Sequence, residues 1–194
     1  MKKIIVAVLL MFASAAWAGD LRDGLAAYDN KNYPVALAKF RLAATQGDEN
    51  AQLMLGVMFE KGEGVAQDYV EAVRWYRLAA AQGHAAAQVY LGVMFSMGQG
   101  VAQDYVEAMR WYRLAAAQGD ADAQLNLGLM FALGKGVAQD STRAHMWFNL
   151  AAVSGDKEVV RNRDLAATLM TPQQIAQAQQ LARECTARNF KNCD

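Results

Sequence analysis

The sequence predicts an all-α protein, a right-handed α-solenoid of stacked antiparallel helix pairs with about ten helices. The first observation is a near-copy: GVAQDYVEAVRWYRLAAAQG begins at Gly64, and GVAQDYVEAMRWYRLAAAQG begins at Gly100. Only Val73 and Met109 differ between the two copies. The second observation is that three segments of equal length align without a gap, each with apolar residues at helical spacing. A fixed period of this kind is typical of helical repeats that stack.

The alignment divides the chain into six segments. They are a leader at 1–18, an N-terminal helix pair at 19–48, repeats at 49–84, 85–120 and 121–156, and capping helices with a tail at 157–194.

The leader has the layout of a secretory signal peptide. Lys2 and Lys3 precede an apolar run from Ile4 to Phe12, and Ala16-Trp17-Ala18 forms an A-x-A cleavage site. The run is much shorter than the roughly 20 residues that span a membrane, so we expect no anchor after cleavage. We therefore expect cleavage after Ala18 and a periplasmic or secreted protein, the Lys-Lys start suggesting a bacterial periplasm.

The charge balance bears on the class of partner. Removing the leader takes away two lysines and no acidic residue, so the net charge moves from 0 to about −2. Such a surface has no basic stripe to neutralise phosphates, and we expect no nucleic-acid partner. We expect the chain to be a monomer.

The first helix of each repeat carries an apolar stripe. Ala51, Leu55 and Met58 follow helical spacing in the first copy. A glycine interrupts this helix in every copy and costs about 1 kcal/mol relative to alanine. Because the cost is repeated, we expect the paired helix to approach closely at these glycines, which are Gly56, Gly92 and Gly128.

The second helix of each repeat has its own start and stop signals. Asp68 with Glu71, and Asp104 with Glu107, form an acidic version of the capping box. In the third repeat Arg143 follows Asp140, so half of the box is lost. A glycine that suits a left-handed C-terminus ends each copy, at Gly83, Gly119 and Gly155.

An aromatic stripe follows the second helices. Trp75, Trp111 and Trp147 are expected to be core residues, each packing with its aromatic neighbour on the first helix of the following unit. Stacking of the repeats removes from water the apolar faces that a single helix pair cannot bury.

The ends differ from the repeats. Asn32 is expected to cap the second helix of the N-terminal pair. Near the C-terminus, Thr171, Pro172 and Gln174 predict a capping box at the start of a last helix. That helix is rich in glutamine and arginine, as a lid over the stack would be.

Cys185 and Cys193 are the only two cysteines. On one continuous helix they would lie about 12 Å apart, beyond the roughly 7 Å limit for the Cα atoms of a disulfide. A bridge requires the chain after about Asn189 to leave the helix and fold back. Free thiols or an intermolecular bridge are the alternatives. Two cysteines without a nearby histidine do not complete a metal site, and we expect neither metal nor cofactor.

The repeat pattern A-x-x-x-L-G-x-x-F-x-x-G-x-G-V-x-x-D-x-x-x-A-x-x-W-[YF]-x-x-A-A-x-x-G, found three times between Ala51 and Gly155, resembles the Sel1-like repeat family. That family is related to the tetratricopeptide repeats, whose form the pair at 19–48 resembles around Gly24 and Tyr28. The resemblance implies an α-solenoid whose first helices line a concave groove, in proteins that act as adaptors or scaffolds.

The first functional hypothesis is therefore an exported scaffold that binds a protein or peptide partner in the groove. The residues after the Met-Phe pair of each first helix differ between copies, as residues that read a ligand or tolerant surface residues would. By resemblance, the groove residues are Asn50, Leu53, Val57, Glu60, Ala86, Val89, Val93, Ser96, Asp122, Leu125, Leu129 and Ala132.

Two alternatives remain. A hydrolase acting on the cell wall or on β-lactams is suggested by cysteine-rich relatives, and Ser154 to Lys157 spells S-x-x-K. The lysine-threonine-glycine and serine-aspartate-asparagine triplets that accompany this motif do not occur in the chain, so we predict no catalytic residue. The other alternative is a structural brace in an envelope assembly, which would bind through the terminal helices.

Overall fold

The computed structural model describes residues 19–193, and the predicted signal peptide lies outside them. Within this range the chain forms ten α-helices, one 3-10 turn and no strand, which confirms the all-α prediction. The helices are α1 (19–29), α2 (Tyr33–Thr45), α3 (Glu49–Lys61), α4 (Tyr69–Ala81), α5 (Ala85–Met97), α6 (Tyr105–Ala116), α7 (Ala121–Leu133), α8 (Ser141–Ala151), α9 (Lys157–Ala167) and α10 (Pro172–Ala187), with the 3-10 turn at Ala152–Ser154. None of the helices described is both long and apolar enough to span a membrane.

The chain divides into two compact units, with the boundary between Ala87 and Gln88 near the start of α5. In the first unit α2 packs on α3 and α3 on α4. Phe40 is fully buried at the centre of this unit, and Tyr28 and Tyr33 pack against its cluster. Both tyrosine hydroxyls donate hydrogen bonds to the carboxylate of Glu63, at 2.6 and 3.3 Å, which ties the loop after α3 to the N-terminal pair.

The helical glycines have the steric role expected of them. A β-carbon added to Gly92 would lie 2.5 Å from Cε1 of Tyr112, and one added to Gly128 would lie 2.5 Å from Cδ1 of Phe148. Gly56 stands under the ring of Tyr76 in the same way. The second helix of each pair therefore lays an aromatic ring on the backbone of the first helix.

The start of each second helix is capped by its aspartate. The Asp68 carboxylate accepts from the backbone N–H groups of Val70 and Glu71, and Asp104 repeats this arrangement. The Glu71 side chain accepts a hydrogen bond from Arg74. Asn32 occupies the predicted N-cap position of α2, but its side chain makes no capping hydrogen bond.

The third repeat keeps its cap although its box is broken. The Asp140 carboxylate accepts from the Arg143 backbone N–H at 3.0 Å and forms a 2.8 Å ion pair with the Arg143 guanidinium. Arg143 thus forms an ion pair with the capping carboxylate, which Glu71 and Glu107 cannot do because they carry the same charge as the aspartate.

Two of the three tryptophans predicted as core residues, Trp75 and Trp147, are buried, whereas the prediction is wrong for Trp111. Trp75 is 9% exposed and Trp147 is 2% exposed, whereas Trp111 is half-buried under the Arg110 guanidinium. Trp75, expected on the following unit, belongs to the core cluster of the preceding helices α2 and α3. Tyr76 also faces its own pair, because the open backbone of Gly56 provides the space that its ring needs.

The C-terminal region closes the second unit. Thr171 and Gln174 form the predicted capping box at the start of α10, and this helix packs on α8. Cys185 and Cys193 are joined by a disulfide with their Cα atoms 5.1 Å apart. The chain turns back after α10 through residues with positive φ, among them Asn189 and Phe190, which confirms the predicted fold-back.

His145 is buried in α8 at the position of Val73 and Met109, and α9 packs on this helix. Burial lowers the pKa of the imidazole below its usual value, and the positive charge of Arg163 adds to this effect, whereas Asp164 acts in the opposite direction. Nδ1 has no hydrogen-bond partner among the described residues. The fold therefore favours the neutral form of His145 over the charged form.

We predict that Gly92→Ala lowers the free energy of unfolding by about 1–3 kcal/mol, because the new methyl group overlaps the Tyr112 ring. Urea unfolding measures this change. In a Tyr112→Leu background the penalty should disappear, since the ring is gone and alanine is the better helix former. A penalty of equal size in both backgrounds would show that the ring is not its cause.

We predict that stability falls as the pH drops below about 6.5, the pKa of histidine in an unfolded chain. The pKa of His145 is lower in the folded protein, so the unfolded chain binds the proton more readily and is favoured as the pH falls. Thermal unfolding between pH 7.5 and 5.5 measures the effect. His145→Met, which copies Met109, should flatten this dependence; an unchanged slope would assign it to other groups.

Candidate partner-binding surface

In the first unit, α3 carries four of the predicted groove residues. Asn50 is exposed, with Oδ1 3.2 Å from Nε2 of His84. Leu53 and Glu60 are half-buried, while Val57 is only 8% exposed and offers little surface to a partner. Ala86, near the start of α5, is half-buried.

In the second unit, Val89, Val93 and Ser96 are half-buried along α5. The predicted residues on α7 range from the exposed Asp122 and Leu129 to the half-buried Leu125 and Ala132. They do not share one cavity. Asp122 and Leu125 line a cavity near the start of α7, whereas Leu129 lines another near its end.

The cavity near the ends of α5 and α7 has a volume of about 200 Å³ and brings Ser96 together with Leu129. Met97 and Leu133, the last residues of the two helices, also line it and are 59% and 61% exposed. Large apolar side chains are thus in water around a concave site. Such a combination marks a surface that a partner can cover.

Polar side chains outside the predicted groove residues complete this cavity. Tyr105, Asn126 and Lys135 lie in its wall, and the Lys135 ammonium is 5.3 Å from the centre of the Tyr105 ring. Lys135 replaces Glu63 and Gln99 of the other repeats, so a comparison of the three loops would have singled it out. The sequence holds no signal that the start of α6 reaches the same cavity.

The residues that vary at the ends of the first helices have an internal role. The Tyr76 hydroxyl donates a 2.5 Å hydrogen bond to the Glu60 carboxylate. Burial raises the pKa of Tyr112, and the neighbouring Ser96 acts in the opposite direction. The Ser96 hydroxyl donates to the Val93 backbone oxygen at 2.9 Å. In the third repeat Phe148 has no hydroxyl, and Ala132 has no polar group to receive one. In the third repeat the loss of the polar residue on the first helix thus accompanies the loss of the ring hydroxyl.

The cavity near the start of α7 has a volume of about 420 Å³ and an acidic wall of Asp122, Asp156 and Glu158. Among the described residues no group of three potential ligands is placed to hold a metal ion. Ser154 also lines this cavity, but it ends a 3-10 turn, and its hydroxyl accepts from the Asp156 backbone N–H at 3.4 Å. The S-x-x-K serine therefore does not stand at the start of a helix, as that motif requires.

A family model described as the Sel1 repeat matches residues 50–84, 85–120 and 121–156, which together make up more than half of the chain. No curated protein matches the chain. The matched family is the one that the repeat pattern resembles.

Two solved structures share the fold. A Sel1 repeat protein from Oxalobacter formigenes has a TM-score of 0.74 and 32% identity over 87% of this chain and 69% of that protein. The protein c5321, a protective antigen present in uropathogenic Escherichia coli strains that displays an SLR fold, has a TM-score of 0.61 and 29% identity. That match covers 82% of this chain and 42% of the antigen, so the chain spans less than half of the antigen's length. Both similarities confirm the predicted fold class.

We predict that Glu60 and Tyr76 are energetically coupled by about 1 kcal/mol, because their hydrogen bond joins the two helices of one pair. A double-mutant cycle with Glu60→Ala and Tyr76→Phe, measured by urea unfolding, gives this value. The corresponding cycle of Ala132→Gly and Phe148→Leu serves as the control and should show no polar coupling. Additive effects in the first cycle would contradict the assigned contact.

Proposed function

The chain belongs to the Sel1 repeat family, whose members generally mediate protein–protein interactions, and we propose that it is an exported scaffold for one protein or peptide partner. The partner binds on the exposed faces of the first helices. In each unit those faces carry predicted contact residues that the core does not fully enclose, such as Leu53 in the first and Leu129 in the second.

The observation that carries this proposal is the apolar rim of the cavity at the ends of α5 and α7. Met97, Leu129 and Leu133 are 59%, 36% and 61% exposed, and covering them removes apolar surface from water. The volume of about 200 Å³ is smaller than the roughly 300–1,000 Å³ of small-molecule pockets. A cavity of this size can take one apolar side chain of a partner. A carboxylate of the same partner would then form an ion pair with Lys135.

Export is supported by the disulfide between Cys185 and Cys193, because such bonds persist in oxidising compartments. In the proposal the leader at 1–18 is removed and the mature chain acts as a monomer in the periplasm or outside the cell. The mature chain then consists of the N-terminal pair at 19–48, the three repeats from 49 to 156, and the capping segment at 157–194.

The proposed role is non-catalytic. Ser154 follows the end of α8 instead of opening a helix, and its hydroxyl contacts the backbone of Asp156. These contacts are those of a residue that ends a helix. In the alternative role, as a structural brace, the protein would bind its partner through the terminal helices, and binding measurements with variants distinguish the two roles.

We predict that a photo-crosslinking amino acid at position 133 captures one partner in the cell, because Leu133 lies on the rim of the cavity. The same amino acid at position 114 is the matched control, since Leu114 is an exposed leucine on α6 that does not line this cavity. Mass spectrometry identifies the captured protein, which is then purified for binding measurements with the mature chain.

With that partner, Leu129→Asp and Leu133→Asp should each weaken binding at least tenfold, which corresponds to about 1.4 kcal/mol. Leu114→Asp should change the affinity less than twofold. Equal losses at all three positions would contradict the proposed surface. If only substitutions on the exposed face of α10, such as Gln177→Glu or Arg183→Glu, weaken binding, the protein is a brace.

A further inference from the structure

A pair of glutamines recurs inside the first two repeats. In the first, the Gln82 side-chain amide donates a 2.8 Å hydrogen bond to Oε1 of Gln52. In the second, Gln118 donates to Oε1 of Gln88 at 2.9 Å. The accepting glutamines are 5% and 4% exposed, so the amide that arrives from the end of the second helix satisfies a buried polar group.

The third repeat keeps the buried glutamine but has no glutamine at the end of its second helix to donate a hydrogen bond to it. Gln124, the counterpart of Gln52 and Gln88, is 3% exposed. The position of Gln82 and Gln118 is occupied by Ser154, whose hydroxyl contacts the backbone N–H of Asp156. Across the part of the chain that the structure describes, no residue forms a hydrogen bond with the side-chain amide of Gln124.

A cavity of about 320 Å³ lies beside Gln124. Gln124, Ser154 and Gly119 line it together with the apolar side chains of Leu150, Val153 and Phe190. Val153 is 87% exposed and Ser154 is exposed, so the cavity opens to water on this side. Phe190 belongs to the segment that the disulfide holds against the helices. The cavity therefore has a polar group, the Gln124 side chain, beside apolar side chains, and it is open to solvent.

We propose that this cavity binds the primary carboxamide of a glutamine side chain presented by a partner protein. The inference rests on the proposed function, in that the ligand belongs to a protein partner, but it concerns a surface apart from the Met97 and Leu133 cavity. The carboxamide supplies the group that Gln82 and Gln118 supply within the chain. Its methylene groups pack against Leu150 and Val153.

The repeats also explain why a carboxamide fits better than a carboxylate. In the first repeat the Gln82 amide donates to two acceptors, Oε1 of Gln52 and the backbone oxygen of Gly47 at 3.0 Å. Their counterparts in the third repeat, Gln124 and Gly119, both line the cavity. A glutamate carboxylate has no N–H to donate to a carbonyl oxygen, and burying its charge without a cation is unfavourable.

The probe for this site is N-acetyl-glutamine methylamide, titrated into the ¹⁵N-labelled mature protein with its disulfide intact. We expect a saturable shift of the Gln124 side-chain amide signal. The corresponding glutamate compound should bind at least about tenfold more weakly, because it lacks the donor.

Ser154→Gln should abolish the shift, since the new side chain occupies the cavity, and should raise the melting temperature by restoring the bond to the buried glutamine. No shift with the glutamine probe, equal binding of the glutamate probe, or binding that persists in Ser154→Gln would each overturn the inference. Leu133→Asp should leave the titration unchanged. A failure of the probe therefore refutes this site without bearing on the surface around Leu133.

Discussion

The contact between an aromatic ring and a helical glycine is the constraint on which each helix pair depends. Tyr112 covers Gly92 and Phe148 covers Gly128 so closely that a β-carbon would overlap the ring. The two helices can approach this far only because the glycine has no side chain. Where the ring belongs to a tyrosine, its hydroxyl can also contact a side chain near the end of the first helix, as Tyr76 contacts Glu60.

The third repeat shows how this structure can change without losing its fold. Phe148 keeps the ring over the glycine but has no hydroxyl, and Ser154 replaces the glutamine that closes the other two repeats. Arg143 replaces a glutamate and forms an ion pair with the capping Asp140. The apolar contacts that hold the pair together are retained, whereas the polar contacts at its ends are exchanged. The open cavity beside Gln124 is a consequence of this exchange.

The candidate surface could be predicted from the sequence only in outline. Helical spacing places Leu129 and Asp122 on one helix, but the structure puts them in two different cavities, because the neighbouring elements that enclose them differ. The difference between Glu60 and Ser96 suggested residues that read a ligand. The Tyr76 hydroxyl donates to the Glu60 carboxylate, so this residue also has a partner within the chain, which the sequence did not indicate. Tyr105 was not expected near Leu129, since they belong to different helices and no local pattern relates them.

The sequence by itself determined the features that depend on neighbours along the chain. Spacing and period predicted the helices, the aspartate caps such as Asp68 and the close approach at Gly56, because short-range geometry governs all of them. It also predicted that a bridge from Cys185 to Cys193 would need a fold-back of the tail. Only the tertiary structure decided that Trp75 joins the preceding helices and that Gln124 faces a cavity. Those outcomes depend on which side chains meet across helices and on how completely they fill the space between the helices. The residues next to one another in the sequence do not specify this packing.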